Sequence, residues 1–380
     1  MPLLSGVRVL DFTANAAGPY CTMLLADMGA EVIKVEPPNG DSARGWGRAT
    51  PDNRSFLFLA VNRNKRSIVL DLKSPADLEV AHQLIATADV VVESFAPGAT
   101  ERLGIDYAQC RDIRPDLIYC SVSGFGQSGP LRQEPGFDMM LQAFSGIMSM
   151  NGEPGAPPAR IPISALDLMT GSFAYSAVLA SLWRREQDGA GEQIDTSLYD
   201  AALNLLCYAV PEYTATKISP SRHGGKFPYL APYEVFRGSD DYFYLGVGTE
   251  SAWRRLCAML DREDLAMDPR YETNSQRVAN RESLRSLLDG IFSAAPAREW
   301  VAQLRKERIP GALIRNVGEA LEDDHCRIRE ATQNLPGMDG VHAASFPVKF
   351  ERLELSEWSP PPRLGENSTA IRDSLKTRDE

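Results

Sequence analysis

Nearly continuous apolar runs alternate with stretches of helical period through the first half of the chain. Residues 7–12, 31–35, 66–72, 89–93 and 117–122 read as strands buried on both faces. Between them, Pro19 opens a helix that stops before Gly29, Ser74-Pro75 opens another reaching about Ala86, and a short one is expected over residues 107–113. This alternation predicts an α/β fold with a mostly parallel sheet covered on both faces. Residues 7–35 form a βαβ unit whose first loop, Thr13-Ala14-Asn15-Ala16-Ala17-Gly18, lies at the carboxyl end of a strand, where ligands of open α/β sheets bind.

The pattern continues with a helix over 137–150, a Gly/Pro-rich connection over 151–159, a buried helix over 168–183, a strand over 193–196 and a helix over 197–208. Gly171, Ser172 and Ala174 leave room for close packing of the 168–183 helix. Beyond Pro211 the chain turns polar, aromatic and glycine-bearing. We divide it into a large α/β domain (1–211), a linker with a mobile glycine loop at His223-Gly224-Gly225-Lys226 (212–231), a small α+β domain (232–325) and an arm returning to the large domain (326–380). Residues 233–236 and 242–247 flank a hairpin turn, helices are expected over 251–260, 281–292 and 297–305, and residues 346–350 look like a strand.

Composition narrows the function. A net charge of −11 argues against a nucleic-acid or anionic-membrane surface, while an anionic small ligand remains open through a local basic cluster. The six cysteines include no CxxC pair and several lie in apolar segments, so reduced thiols and a cytoplasmic protein are expected. The four histidines lack metal-ligand spacing, and no metal site is expected. No signal peptide and no membrane-spanning run is predicted.

Two features carry candidate chemistry. Gly124-Phe125-Gly126-Gln127-Ser128-Gly129 has the spacing GxGxxG, but Pro130 and a polar stretch follow where a dinucleotide fingerprint must open a helix, so we read a glycine-rich loop. Asp167 is the one carboxylate in the uncharged segment 161–183 and precedes an apolar helix. It is either an N-cap or a nucleophile kept ionised at neutral pH by the helix dipole.

The blocks GVRVLDFT, AAGPYCTMLLADMGAEVIKVEPP, VNRNKRSIVLDLK, VVVESFAPGATERLGIDY, SVSGFGQSGP, GFDMMLQAFSGIMSMNGEP, DLMTGSFAYSAVLASLWRR and APYEVFRGSDDYFYLGVG follow one another along nearly the whole chain. In order and spacing they resemble the class III CoA-transferases, whose divergent branch is α-methylacyl-CoA racemase. The resemblance implies a Rossmann-like large domain and a smaller one, in a homodimer of interlocked rings. It implies that Asp167 attacks an acyl-CoA thioester, and that CoA passes to a free carboxylic acid through a mixed anhydride and an aspartyl-CoA thioester. No permanently bound cofactor is implied; the CoA thioester is substrate.

The same resemblance matches Ala16, Ala17, Leu70, Asp71, Leu72, Lys73, Ser94, Phe95, Ala96 and Arg102 to CoA contacts. It matches Phe137 and Asp138 to an aromatic–carboxylate pair lining the substrate pocket, for which Asn15, Trp46, Gly224 and Gly225 are further candidates. Backbone amides near Asn15-Ala16-Ala17 and Gly224-Gly225 are its candidate oxyanion donors. From the residues alone, Lys73 and Arg102 are equally surface charges, and Asp138 equally caps the helix it begins. Racemisation at the α-carbon is the rival. It needs a second base, and the racemase His–Asp pair is Phe137-Asp138 here. A non-catalytic CoA-binding protein and an NAD-dependent oxidoreductase are further alternatives.

Overall fold

The computed structural model describes residues 1–48, 50 and 54–376. The chain divides into two compact units, one of Met1–Ile147, Arg160–Ile218 and His325–Glu380, the other of Met148–Ala159 and Ser219–Asp324. The connection 151–159, placed in the large domain from its sequence, thus falls with residues 148–150 in the second unit, and the linker 212–231 divides at Ile218.

The first unit is built on β1 (Arg8–Phe12), β2 (Glu31–Glu36), β3 (Lys65–Val69), β4 (Val90–Glu93), β5 (Ile118–Ser123) and β6 (Glu192–Ser197). They form one parallel sheet in the order β3-β2-β1-β4-β5-β6. Alternate side chains feed two cores, as the two-residue period of a strand requires. Val9, Val32, Val90, Val92 and Ile118 pack with helices α1 (Ala17–Asp27) and α3 (Ala165–Asp188) on one face. Leu10, Ile33, Val35, Val91 and Tyr119 pack with Ala81, Leu84, Cys110, Ile371 and Leu375 on the other. The strand order reverses between β1 and β4, so the loops after these two strands flank the crevice in which such sheets bind ligands.

Several boundaries move. The first helix starts at Ala17, placing Pro19 in its first turn rather than at its first position. β3 ends at Val69, which frees residues 70–73 as a loop. The helix expected over 137–150 breaks into α2 (Asp138–Phe144) and Ile147–Met150, because Gly146 between them takes φ +98°. The helix expected over 197–208 is Leu198–Leu205 followed by Ala209–Thr216. The strand expected over 346–350 is absent; a short pair, Thr332–Asn334 with His342–Ala344, precedes it.

α3 is a larger correction. By length and composition it is apolar enough to cross a membrane, which its scattered Ser, Thr and Gly residues had masked. Nor is it buried all round: Leu166, Thr170, Gly171, Ala174, Val178 and Leu182 recur at helical period and face the core, whereas Phe173 and Trp183 face out.

In the second unit β7 (Tyr233–Arg237), β8 (Tyr242–Gly246) and β9 (Gly311–Leu313) form an antiparallel sheet. Helices Glu250–Met259, Arg281–Phe292 and Ala297–Lys306 pack on it around Phe236, Phe243, Trp253 and Phe292.

Candidate active site

Asp167 is half-buried in the first turn of α3. Ser164 occupies the N-cap position without a side-chain cap bond, so Asp167 is the third helical residue and the N-cap reading is set aside. The cap comes from another element. Asp138, buried on the first turn of α2, accepts from Leu166 N–H at 2.8 Å and Asp167 N–H at 3.2 Å through Oδ2. It does not cap α2, whose N-cap Phe137 has no side-chain cap bond either.

Electrostatics run against the simple dipole argument. Burial, then the negative charge of Asp138, raise Asp167 to about 7, while a hydrogen bond with Ser164 favours the anion. The expectation of a carboxylate kept ionised at neutral pH is thereby corrected to one near its midpoint, because desolvation and a like charge both disfavour the anion.

The first loop is brought to α3 through α1, which packs along it. At Gly171, one turn beyond Asp167, a Cβ would lie 2.4 Å from the Ala17 carbonyl oxygen. Ala16 and Ala17 are buried at the start of α1, and Ala16 contributes no side-chain cap. Asn15 sits in the left-handed region at φ 68°. Its N–H donates to Asp41 Oδ1 at 3.1 Å and its Oδ1 accepts from Ser42 Oγ at 2.6 Å. Beneath it, fully buried Lys34 pairs with Asp41 at 2.9 Å and donates to the Thr13 carbonyl at 2.8 Å. Asp11 pairs with buried Lys65 at 2.9 Å; burial opposes its ionisation, but Lys65 and Lys34 outweigh that and hold it well below the usual carboxylate range.

The loop after β4 meets the first loop directly, since Ala14 N–H donates to Ser94 Oγ at 3.0 Å. Phe95 N–H donates to Glu93 Oε2 at 2.8 Å, and burial pushes that carboxyl up to about 7. Leu72 and Phe95 are half-buried against the same core cluster, with Leu70 inside it. Ala96 is exposed. Asp71 Oδ1 accepts from Lys73 N–H at 3.1 Å. Lys73 and Arg102 are exposed and form no ion pair among the described residues; Arg102 donates to the Gly98 carbonyl at 2.6 Å. Trp46 and Phe137 are half-exposed with ring centroids 6.3 Å apart. Gly224 and Gly225 belong to the second unit, where Gly224 (φ +60°) donates to the Gly152 carbonyl at 3.0 Å and Gly225 lies against Val235.

Lys34, Asp41, Glu93 and Gln142 escaped the sequence reading. The signal for Lys34 was a charge inside the apolar strand EVIKVE, and for Gln142 its place one helical turn from Asp138.

The profile of CoA-transferase family III matches residues 4–368. The chain belongs to this family. Among relatives of this transferase, acetyl-CoA:oxalate CoA-transferase of Acetobacter aceti is 37% identical, over 97% of this chain and 94% of its own length. A succinate–glutarate CoA-transferase of Agrobacterium fabrum is 35% identical, over 99% and 96%. A crystal structure of a CAIB/BAIF family protein from Brucella suis superposes with a TM-score of 0.89 at 35% identity, covering 98% of this chain and 99% of that one. The chain is a class III CoA-transferase acting on acyl-CoA and carboxylic acids. Among the described residues no cluster of His, Cys, Asp and Glu side chains is suited to a metal ion.

Proposed function

We propose that Asp167 is the nucleophile of this transferase. Its ionised oxygen attacks the thioester carbonyl of the acyl-CoA donor and expels CoA thiolate, leaving an aspartyl–acyl anhydride. The thiolate attacks the aspartyl carbonyl and releases the donor acid, leaving an aspartyl-CoA thioester. The acceptor carboxylate attacks this thioester, forming a second anhydride and freeing thiolate again. Attack of that thiolate on the new acyl carbonyl yields the product acyl-CoA and regenerates Asp167. The observation that carries this reading is the placement of a half-buried carboxylate, near its ionisation midpoint at neutral pH, on a helix packed against the β1 loop.

In this reading the loops after β1, β3 and β4 bind CoA, with Lys73 and Arg102 neutralising phosphate. Backbone N–H groups of Ala16 and Ala17 face the developing oxyanion. The acids are short dicarboxylates, a class that the oxalate and glutarate enzymes among its relatives support. The position of the racemase base holds Phe137, which has no proton to exchange, and this favours transfer over racemisation. The exposed apolar residues Phe144, Phe173 and Trp183 support a homodimer, interlocked as the resemblance implies.

Intact-protein mass spectrometry after incubation with a panel of acyl-CoA thioesters, quenched cold in acid, tests the covalent step. The wild type is expected to carry an acyl or CoA adduct that Asp167→Asn lacks. An adduct retained in the variant would remove Asp167 from this role.

A further inference from the structure

Building on the assignment of Asp167 as nucleophile, we infer that Gln142 is a positioning residue that acts on it through Asp138. Gln142 is fully buried on α2, one turn beyond Asp138. Both ends of its amide are committed: Nε2 donates to Asp138 Oδ1 at 2.5 Å, and Oε1 accepts from Ile161 N–H at 2.8 Å. The other oxygen of Asp138 accepts from Leu166 and Asp167 N–H. One side chain thus ties together α2, the segment entering α3 and, through a single carboxylate, the turn that carries the nucleophile.

A carboxylate torsion is intrinsically broad. Two N–H groups on one side of Asp138 leave it free to rock; a charge-assisted third donor on the other side removes that freedom. Any buried amide must satisfy its own polar atoms. Here the donor goes to the carboxylate that accepts from Asp167 N–H. None of these bonds involves the loops after β1, β3 or β4. Loss of the clamp therefore falls on the chemical step, where small misplacements are costly, and leaves acyl-CoA binding intact.

The test is a double-mutant cycle on the full-length enzyme. The substrate is whichever of acetyl-CoA, succinyl-CoA and glutaryl-CoA turns over fastest. Gln142→Leu removes both bonds; Gln142→Glu keeps the volume and the acceptor for Ile161 but replaces the donor to Asp138. Each is expected to lower kcat by about tenfold or more and to leave the acyl-CoA KM within about twofold. In an Asp138→Asn background, Gln142→Leu is expected to cost nothing further, because its effect passes through Asp138. Unchanged kcat, a loss confined to KM, or losses that multiply would each overturn the inference. If the Leu variant is unfolded in a thermal melt, the volume-conserving Glu variant supplies the comparison in its place. Asp167→Asn, run alongside, separates the two claims. Its retained turnover would remove the nucleophile and Gln142 with it, whereas an inactive Asp167→Asn beside fully active Gln142 variants would overturn Gln142 alone.

Discussion

Attack on a thioester requires the ionised carboxylate, and burial together with Asp138 raises Asp167 to about 7. The rate is therefore expected to climb as pH rises through about 7, seen as the acid limb of kcat/KM against pH. Asp138→Asn removes the like charge, so that limb is expected at lower pH; an unmoved limb would detach Asp138 from the titration. Stability carries the opposite sign. With its folded-state value above the unfolded one, Asp167 binds more protons in the native state and costs stability as pH rises from about 4 to about 7. Asp167→Asn is expected to melt above the wild type at pH 8, the gap closing as pH falls towards 4. Asp167 stood out in the sequence as a lone carboxylate in an apolar segment. Its raised value did not, because its second cause lies 29 residues away on another helix.

At the scale of elements, the α1–α3 crossing decides how close the first loop comes to Asp167. Gly171→Val places a branched side chain where even a Cβ sits 2.4 Å from the Ala17 carbonyl. A cost of about 1–3 kcal/mol in denaturant unfolding is expected, together with lost activity as Ala17 is displaced. Wild-type stability and rate in this variant would refute the close packing. Gly171 was legible as a small residue on an apolar helix, but its partner was not, since no local pattern names which helix will cross it. The loops after β3 and β4 carry a separate expectation: Lys73→Ala and Arg102→Ala each raise the acyl-CoA KM several-fold with little change in kcat. An unchanged KM for both would move the phosphates elsewhere.

Across the whole molecule, two features go beyond any one element. The first is the buried charge network under the β1 loop, in which Lys34 faces Asp11, Asp41 and Glu36, and burial opposes its charge but these carboxylates keep its value raised. Lys34→Met leaves Asp41 buried without its cation, and a loss of about 3–5 kcal/mol in unfolding free energy is expected. The second is the apolar surface of the first unit, where Trp183 is 71% exposed in the single chain. Light scattering coupled to size exclusion is expected to give the mass of two chains at micromolar concentration; a monomer would count against the interlocked dimer.

Local sequence determined the element types. Periods of two and 3.6 residues are set by backbone geometry, so the six strands, the hairpin of the second unit and most helices follow from which positions are apolar. The motif blocks also located the family, because the spacing of glycines and carboxylates around strand ends survives in the linear chain. Tertiary structure decided what those residues do to one another. It made Asp138 the cap of α3 rather than of its own helix, joined the β1 and β4 loops through Ser94, and left Phe173 and Trp183 of α3 outside the core of the chain. Each depends on burial and on contacts between residues far apart in the chain, and desolvation and Coulomb energies exist only once those distances are set.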